Sequence, residues 1–240
     1  MHSPFVFEFI TKVLNGKTNY PVYQQVESLR QQLLKNETLL NIEDMGAGSA
    51  VSKTNQRTIA SIAKNAAKPK KFGQLLHRMV KYYQPDSVIE MGTSLGITTS
   101  YLSLAKPNGT IITMEGANSI ATAAKENFKT LKLENISVVE GNFDTTLSLV
   151  TGGLKTVDFC FIDGNHRQEP TERYFQQFLP KMDNDSILIF DDIHWSKEME
   201  QAWETIKGHE SVRCTIDLFF IGIVFFREEF KEKRNFIIRF

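Results

Sequence analysis

From residue 87 onward the chain alternates short, continuously apolar runs with segments of helical length, and this alternation leaves few folds open. SVIEMG is followed by TTSYLSLAK, TIITMEG by SIATAAKENFKTL, and ISVVEG by TTLSLV. VDFCFIDG then leads into EPTERYFQQFLPKM, and SILIFDD into SKEMEQAWETIK. A strand that is apolar at nearly every position must be covered on both faces, which is the situation of a parallel sheet between two helical layers. Parallel neighbours need crossovers, and these are right-handed. The five repeats therefore predict a doubly wound α/β domain. The tail breaks the pattern. VRCTIDLF and IGIVFFR have no room for a helix between them and are predicted to pair antiparallel. The closing KEKRNFIIRF ends apolar after a charged stretch, which suits an edge strand or a dimer contact equally well.

The first third reads differently. Residues 5–14, 21–36, 55–66 and 72–83 carry helical spacing, with Pro21 opening the second segment and Pro69 preceding the last. No strand is expected there. The chain is divided accordingly into a helical N-terminal segment, 1–68, and an α/β domain, 69–240. The segment is expected to cover the strand ends, where Phe5, Phe7, Phe9, Tyr20 and Tyr23 are either pocket lining or simple core.

Composition narrows the function classes. Twenty-eight basic residues balance 28 acidic ones, so there is no electrostatic footprint for nucleic acid or an anionic membrane. No apolar stretch reaches the length of a membrane span. Glu8 interrupts the apolar N-terminus, which lacks a basic leader and is a poor secretory signal. Cys160 and Cys214 both lie in strand-like runs and read as buried small hydrophobes, consistent with a reducing, cytoplasmic setting.

In open α/β sheets a ligand lies beyond the carboxyl ends of the strands, where the strand order reverses, and here every predicted strand ends on polar residues. The first is followed by Glu90-Met91-Gly92-Thr93-Ser94-Leu95-Gly96, whose glycines permit a tight turn into a helix with free amides. Glu115 ends the second, placed to accept hydrogen bonds from ribose hydroxyls. Gly141-Asn142-Phe143-Asp144 follows the third, suited to the edge and face of an adenine. Asp163-Gly164-Asn165-His166 follows the fourth and Asp191-Asp192-Ile193-His194-Trp195 the fifth. A second glycine cluster, Asp44-Met45-Gly46-Ala47-Gly48-Ser49, has no strand–helix alternation after it and reads as a loop of the helical segment.

The order E-x-G-T-S-x-G, then Glu115, then Gly141-Asn142-Phe143, resembles the motifs of class I methyltransferases that bind S-adenosylmethionine. The likeness covers roughly residues 70–228. It implies a Rossmann-like, seven-stranded, mostly parallel sheet with an antiparallel last strand. It also implies a cofactor site of Glu90, Gly92, Ser94, Gly96, Glu115, Asn142, Phe143 and Asp163. FIDGNH followed by ILIFDDIHW looks closest to small-molecule O-methyltransferases, several of which use magnesium.

Asp163, Asp191 and Asp192 end adjacent strands and would repel one another unless a cation or proton intervened. Hard oxygen ligands suit Mg2+ or Ca2+; alternatively Asp191 or Asp192 caps the next helix. The catechol-type enzymes carry a lysine base three residues after the first metal ligand, whereas this chain has His166 there, with His194 as a competing base. The expected activity is methyl transfer to an oxygen of a small molecule, with a homodimer as a further expectation. Two rivals stand beside it: a nicotinamide-dependent oxidoreductase, and a protein that binds the cofactor without catalysis.

Overall fold

The computed structural model describes residues 3–42 and 56–240. The Asp44–Ser49 cluster and His2 lie outside them. The chain opens with α1 (Pro4–Glu8), which runs into a π-helical stretch, Phe9–Leu14, and continues through α2 (Pro21–Leu33). Two short strands, β1 (Leu39–Asn41) and β2 (Gln56–Thr58), pair antiparallel before α3 (Ile59–Asn65) and α4 (Lys70–Tyr83). The expectation of no strand in the first third is therefore corrected. Each of these strands has three residues and no buried side, so the periodicity that marks a strand in a sequence has nothing to act on.

The alternating region folds as β3 (Ser87–Met91), α5 (Ile97–Ala105), β4 (Thr110–Glu115), α6 (Asn118–Thr130), β5 (Ile136–Glu140) and α7 (Phe143–Gly152). It continues through β6 (Phe159–Ile162), α8 (Gln168–Phe178), β7 (Ile187–Asp191), α9 (Lys197–Gly208), β8 (Cys214–Asp217), β9 (Ile221–Phe225) and β10 (Arg234–Ile237). The sheet order is β10-β8-β9-β7-β6-β3-β4-β5. β9 inserts between β7 and β8 and runs antiparallel to both, as the two closing runs predicted. The sheet has eight strands rather than seven. The charged tail that left two roles open is β10, a parallel edge strand on β8.

Burial explains the continuous apolar strands. One face packs Val88, Ile111, Phe159 and Ile187 against α4 residues Phe72, Leu75 and Met79. The other packs Ile89, Cys160 and Leu188 against Tyr174, Phe175 and Trp203 of α8 and α9. The N-terminal helices share the first of these cores, because Val6, Phe9, Val13 and Leu14 bury against it. Phe5 and Phe9 meet Phe225 edge to face. Phe225 pairs with Ile187, at the amino end of β7, so these aromatics are core residues at the end of the sheet opposite the site. Tyr20 and Tyr23 instead enclose His77.

His77 is 1 % exposed, and burial, assisted by Lys81 and Arg78, lowers its pKa to about 4. The unfolded chain binds this proton more readily than the folded one between that value and the ordinary His value near 6.5. Stability contributed by neutral His77 is thus complete above about pH 6.5 and is lost as pH falls toward 4, by roughly 3 kcal/mol. Urea unfolding of the parent and of His77→Gln at pH 7 and pH 4.5 should show a shallower loss in the variant. Equal losses would mean that His77 does not carry the effect.

Candidate active site

The strand order reverses between β3 and β6, and the polar segments after these strands converge there. Gly92 has φ +101°, and a Cβ at this position would lie 1.9 Å from the Asp163 carbonyl oxygen. The approach is fixed by the ladder itself: Asp163 N donates to Met91 O at 2.8 Å, and Gly92 N to Met114 O at 2.9 Å. Gly96, at φ +77°, opens α5 against the Phe128 ring, which a Cβ would meet at 2.4 Å. Between them Ser94 is also left-handed, at φ +47°. Only a short, bent loop satisfies all three, and it delivers the Ser94 amide to Glu115 Oε2 at 2.9 Å.

Glu115 Oε1 accepts from Ala117 N at 3.0 Å. Burial raises its pKa, and the backbone amides work against that shift. Each carboxylate oxygen has a second lone pair for a ligand hydroxyl. Glu90 is placed differently from the sequence expectation. Its side chain is fully buried beneath the loop, where Oε2 accepts from Thr99 and, at 2.6 Å, from Thr113. Oε1 has no partner. Burial pushes its pKa up to about 8 against those two hydrogen bonds, so Glu90 braces the loop as a largely protonated acid at neutral pH.

Asn142 Oδ1 caps α7 by accepting from Asp144 N at 2.9 Å. Phe143 turns back over Gly164, whose Cβ would meet its ring at 2.5 Å, and Tyr174 packs edge-on against Phe143. The loops after β5 and β6 are thereby joined into one wall. Tyr174 and Arg173 hold Asp144 at 2.8 and 2.6 Å.

The acidic cluster departs most from expectation. Ligand atoms of Asp163, His166 and Asp191 lie within 4.8 Å of one another, whereas the expected trio was Asp163, Asp191 and Asp192. Asp192, at φ +52°, donates its amide to Phe220 O at 2.7 Å. Lys68, from the connection between α3 and α4, reaches into the cluster. Its Nζ contacts Asp191 Oδ2 and lies 2.9 Å from Asp192 Oδ1. Burial opposes its charge, but Asp191, Asp163 and Asp192 outweigh this and raise its pKa. Burial also acts on Asp163, yet His166 and Lys68 hold that carboxyl below its usual range. Asp191 is pushed well above its usual range by burial and by Asp163. Sequence reasoning missed Lys68 because it sits in AAKPKK, among lysines that look alike until the chain folds.

The two histidines separate cleanly. His166 Nε2 is 3.5 Å from Asp163 Oδ1. His194 is held away from that pair: Nδ1 is 3.3 Å from Glu200 Oε1 and Nε2 is 2.8 Å from Asp217 Oδ2. With a carboxylate near each ring nitrogen, His194 is engaged by α9 and β8 and away from the Asp163–His166 pair. It stacks on Phe219 instead.

Residues 89–193, which span this site from β3 to the loop after β7, match the family model of a methyltransferase domain. The chain is 27% identical over 150 residues to the tRNA (guanine-N(7)-)-methyltransferase of Mycoplasma mobile, covering 53% of this chain and 72% of that protein. It is also 27% identical over 158 residues to the catechol O-methyltransferase of Niastella koreensis, covering 65% and 69%. The SAH-bound methyltransferase PaMTH1 of Podospora anserina superposes with a TM-score of 0.65 at 10% identity, over 95% of this chain and 97% of that one. This last likeness is one of fold. No helix among the described residues is long and apolar enough to cross a membrane.

In this domain the narrowest tolerance is at Gly92. Gly92→Ala must part the loop from Asp163 and strain a left-handed backbone, which costs about 1–3 kcal/mol for the strain alone. Gly152→Ala, with nothing within 4 Å of its Cβ, is the control. Thermal unfolding should show a drop of several degrees for the first and little change for the second; matching melting temperatures would remove the close-approach argument.

Proposed function

We propose that the domain transfers a methyl group from S-adenosylmethionine to an oxygen of a small molecule. The observation that carries this reading is the meeting of two features at one switch point: the Gly92–Gly96 loop with Glu115, and the Asp163–His166 pair. Bound S-adenosylmethionine supplies a sulfonium methyl that is already electrophilic. What remains for the protein is to bind, align and remove one proton.

In this reading the Gly92, Ser94 and Gly96 backbone cradles the methionine side. Glu115 accepts from the ribose hydroxyls, and Asn142 and Phe143 border the adenine. Glu90 acts through the loop it braces. His166 takes the acceptor's proton, and Asp163 stabilises the resulting imidazolium. Trp195, in the loop after β7, and Phe219, in the β8–β9 turn, are 68% and 62% exposed. A flat or apolar small acceptor suits such a surface. The equal numbers of basic and acidic residues favour it over RNA, the acceptor in the name of the Mycoplasma relative. A reducing, cytoplasmic setting fits the free, buried Cys160 and Cys214.

Two measurements test this reading. Calorimetric titration should show S-adenosylmethionine binding, weakened about ten- to hundredfold in Glu115→Ala, the effect of losing hydrogen bonds to a charged group. A nicotinamide dinucleotide binding more tightly than S-adenosylmethionine would reverse the cofactor assignment. With a panel of phenols and alcohols, release of S-adenosylhomocysteine should fall about 10²–10⁴-fold in His166→Ala and much less in His194→Ala. Cofactor affinity with no turnover on any hydroxyl acceptor would favour a binding protein, and methylation of RNA alone would move the acceptor to a base nitrogen.

A further inference from the structure

A magnesium site was expected on Asp163, Asp191 and Asp192, and the arrangement of those side chains does not suit one. A divalent ion needs oxygen ligands free to close around it at about 2.0–2.1 Å for Mg2+ or 2.3–2.6 Å for Ca2+. Here Asp191 Oδ2 already contacts the Lys68 ammonium, and Asp192 Oδ1 lies 2.9 Å from the same nitrogen. A second cation beside that ammonium would be repelled at a few ångströms, in surroundings too dry to screen it. The pair is enclosed, with side-chain exposure of 14% for Lys68 and 0% for Asp191.

We propose that Lys68 is the resident cation of this site, standing where a divalent metal would otherwise bind, so that the domain needs no metal. Lys68 is built into the fold rather than laid over it. Pro69 follows it as the residue capping α4, which biases Lys68 toward extended backbone. The buried face of α4 (Phe72, Leu75, Leu76, Met79) anchors that start to the sheet. The position is therefore fixed by packing before any ligand arrives. Removing the ammonium would leave Asp163, His166 and Asp191 converging on one space. Asp191 Oδ1 is buried there without a hydrogen-bond partner. Two carboxylates and an imidazole form a set dominated by oxygen donors, which Mn2+ accepts.

The inference rests on the methyl-transfer reading only in its activity arm. The first arm uses Mn2+ alone, with neither cofactor nor acceptor, and follows bound ion by electron paramagnetic resonance. The full-length parent should bind no Mn2+ at this cluster, and Lys68→Arg should behave likewise. Lys68→Met should bind Mn2+ at least tenfold more tightly than the parent, and adding Asp191→Asn should abolish that gain. Should Lys68→Met fail to fold, the melting temperature of the parent with and without Mn2+ decides instead: no shift supports the proposal, and a clear rise overturns it. In the activity arm, parent turnover should be unchanged by a chelator. Mn2+ binding in the parent equal to that in Lys68→Met, or turnover abolished by chelation and restored by Mg2+, would overturn the proposal. Loss of S-adenosylmethionine binding would instead count against the methyl-transfer reading and leave the Mn2+ result standing.

Discussion

The contact between the backbone after β3 and the backbone after β6 is the constraint on which the rest of this structure depends. The two strands are neighbours, yet their helices lead to opposite halves of the sheet, so a crevice must open between the loops that follow them. Its width is set by Gly92, which faces the Asp163 carbonyl at a separation that leaves no room for a Cβ. With that approach fixed, the loop cannot relax. Ser94 must take a left-handed conformation, and its amide then points at Glu115 on the next strand. Three β–loop–α units that are neighbours in the sheet, those of β6, β3 and β4, thus converge because one residue lacks a side chain.

Crowding acids at the carboxyl ends of adjacent strands raises an electrostatic problem that the site meets acid by acid. Glu90, wholly buried, keeps its proton into the neutral range. Glu115 is compensated by backbone amides. Asp163 retains its charge beside His166 and Lys68. Asp191 is pressed toward the neutral form by burial and by Asp163, with the Lys68 ammonium opposing. Like charges this close cannot all ionise without compensation, and each acid here is either protonated, bonded to amides or paired. This division of roles is legible only in three dimensions, since each carboxylate has the same chemistry in the chain.

That contrast explains what the amino-acid sequence disclosed and what it withheld. Continuous apolar strands, glycines flanking a strand–helix turn and acids at strand ends are local patterns with local physical causes. They placed the doubly wound sheet, the reversed β9 and the residues at the switch point. What escaped was set by contacts between distant segments. Lys68 meets Asp192 across 124 positions of chain, and nothing in AAKPKK separates it from a solvated lysine. His194 follows Asp191 closely in the chain, but its contacts could not be read there. Its partners, Glu200 and Asp217, come from α9 and β8. β1 and β2 escaped for the opposite reason, having too few residues and too little burial to impose any period.

The clamp on His194 bears on how the mouth of the site is built. Asp217 uses one carboxylate oxygen for His194 Nε2 and the other for the amide of Phe219, at 2.8 and 2.7 Å. Phe219 sits at φ +72°, a conformation that costs a bulky residue about 1–3 kcal/mol. It is held by that hydrogen bond and by stacking on the His194 ring at 5.3 Å. The β8–β9 turn is thereby fastened to the loop after β7, and Asp192 N completes the junction through Phe220 O. Phe220 in turn packs on Phe72 of α4, a few residues from Lys68. One set of contacts therefore couples the exposed aromatics, the loop bearing the aspartates and the helix whose start presents the lysine. The helix that precedes the strand–helix repeats is therefore tied to the acidic cluster as well as to the core.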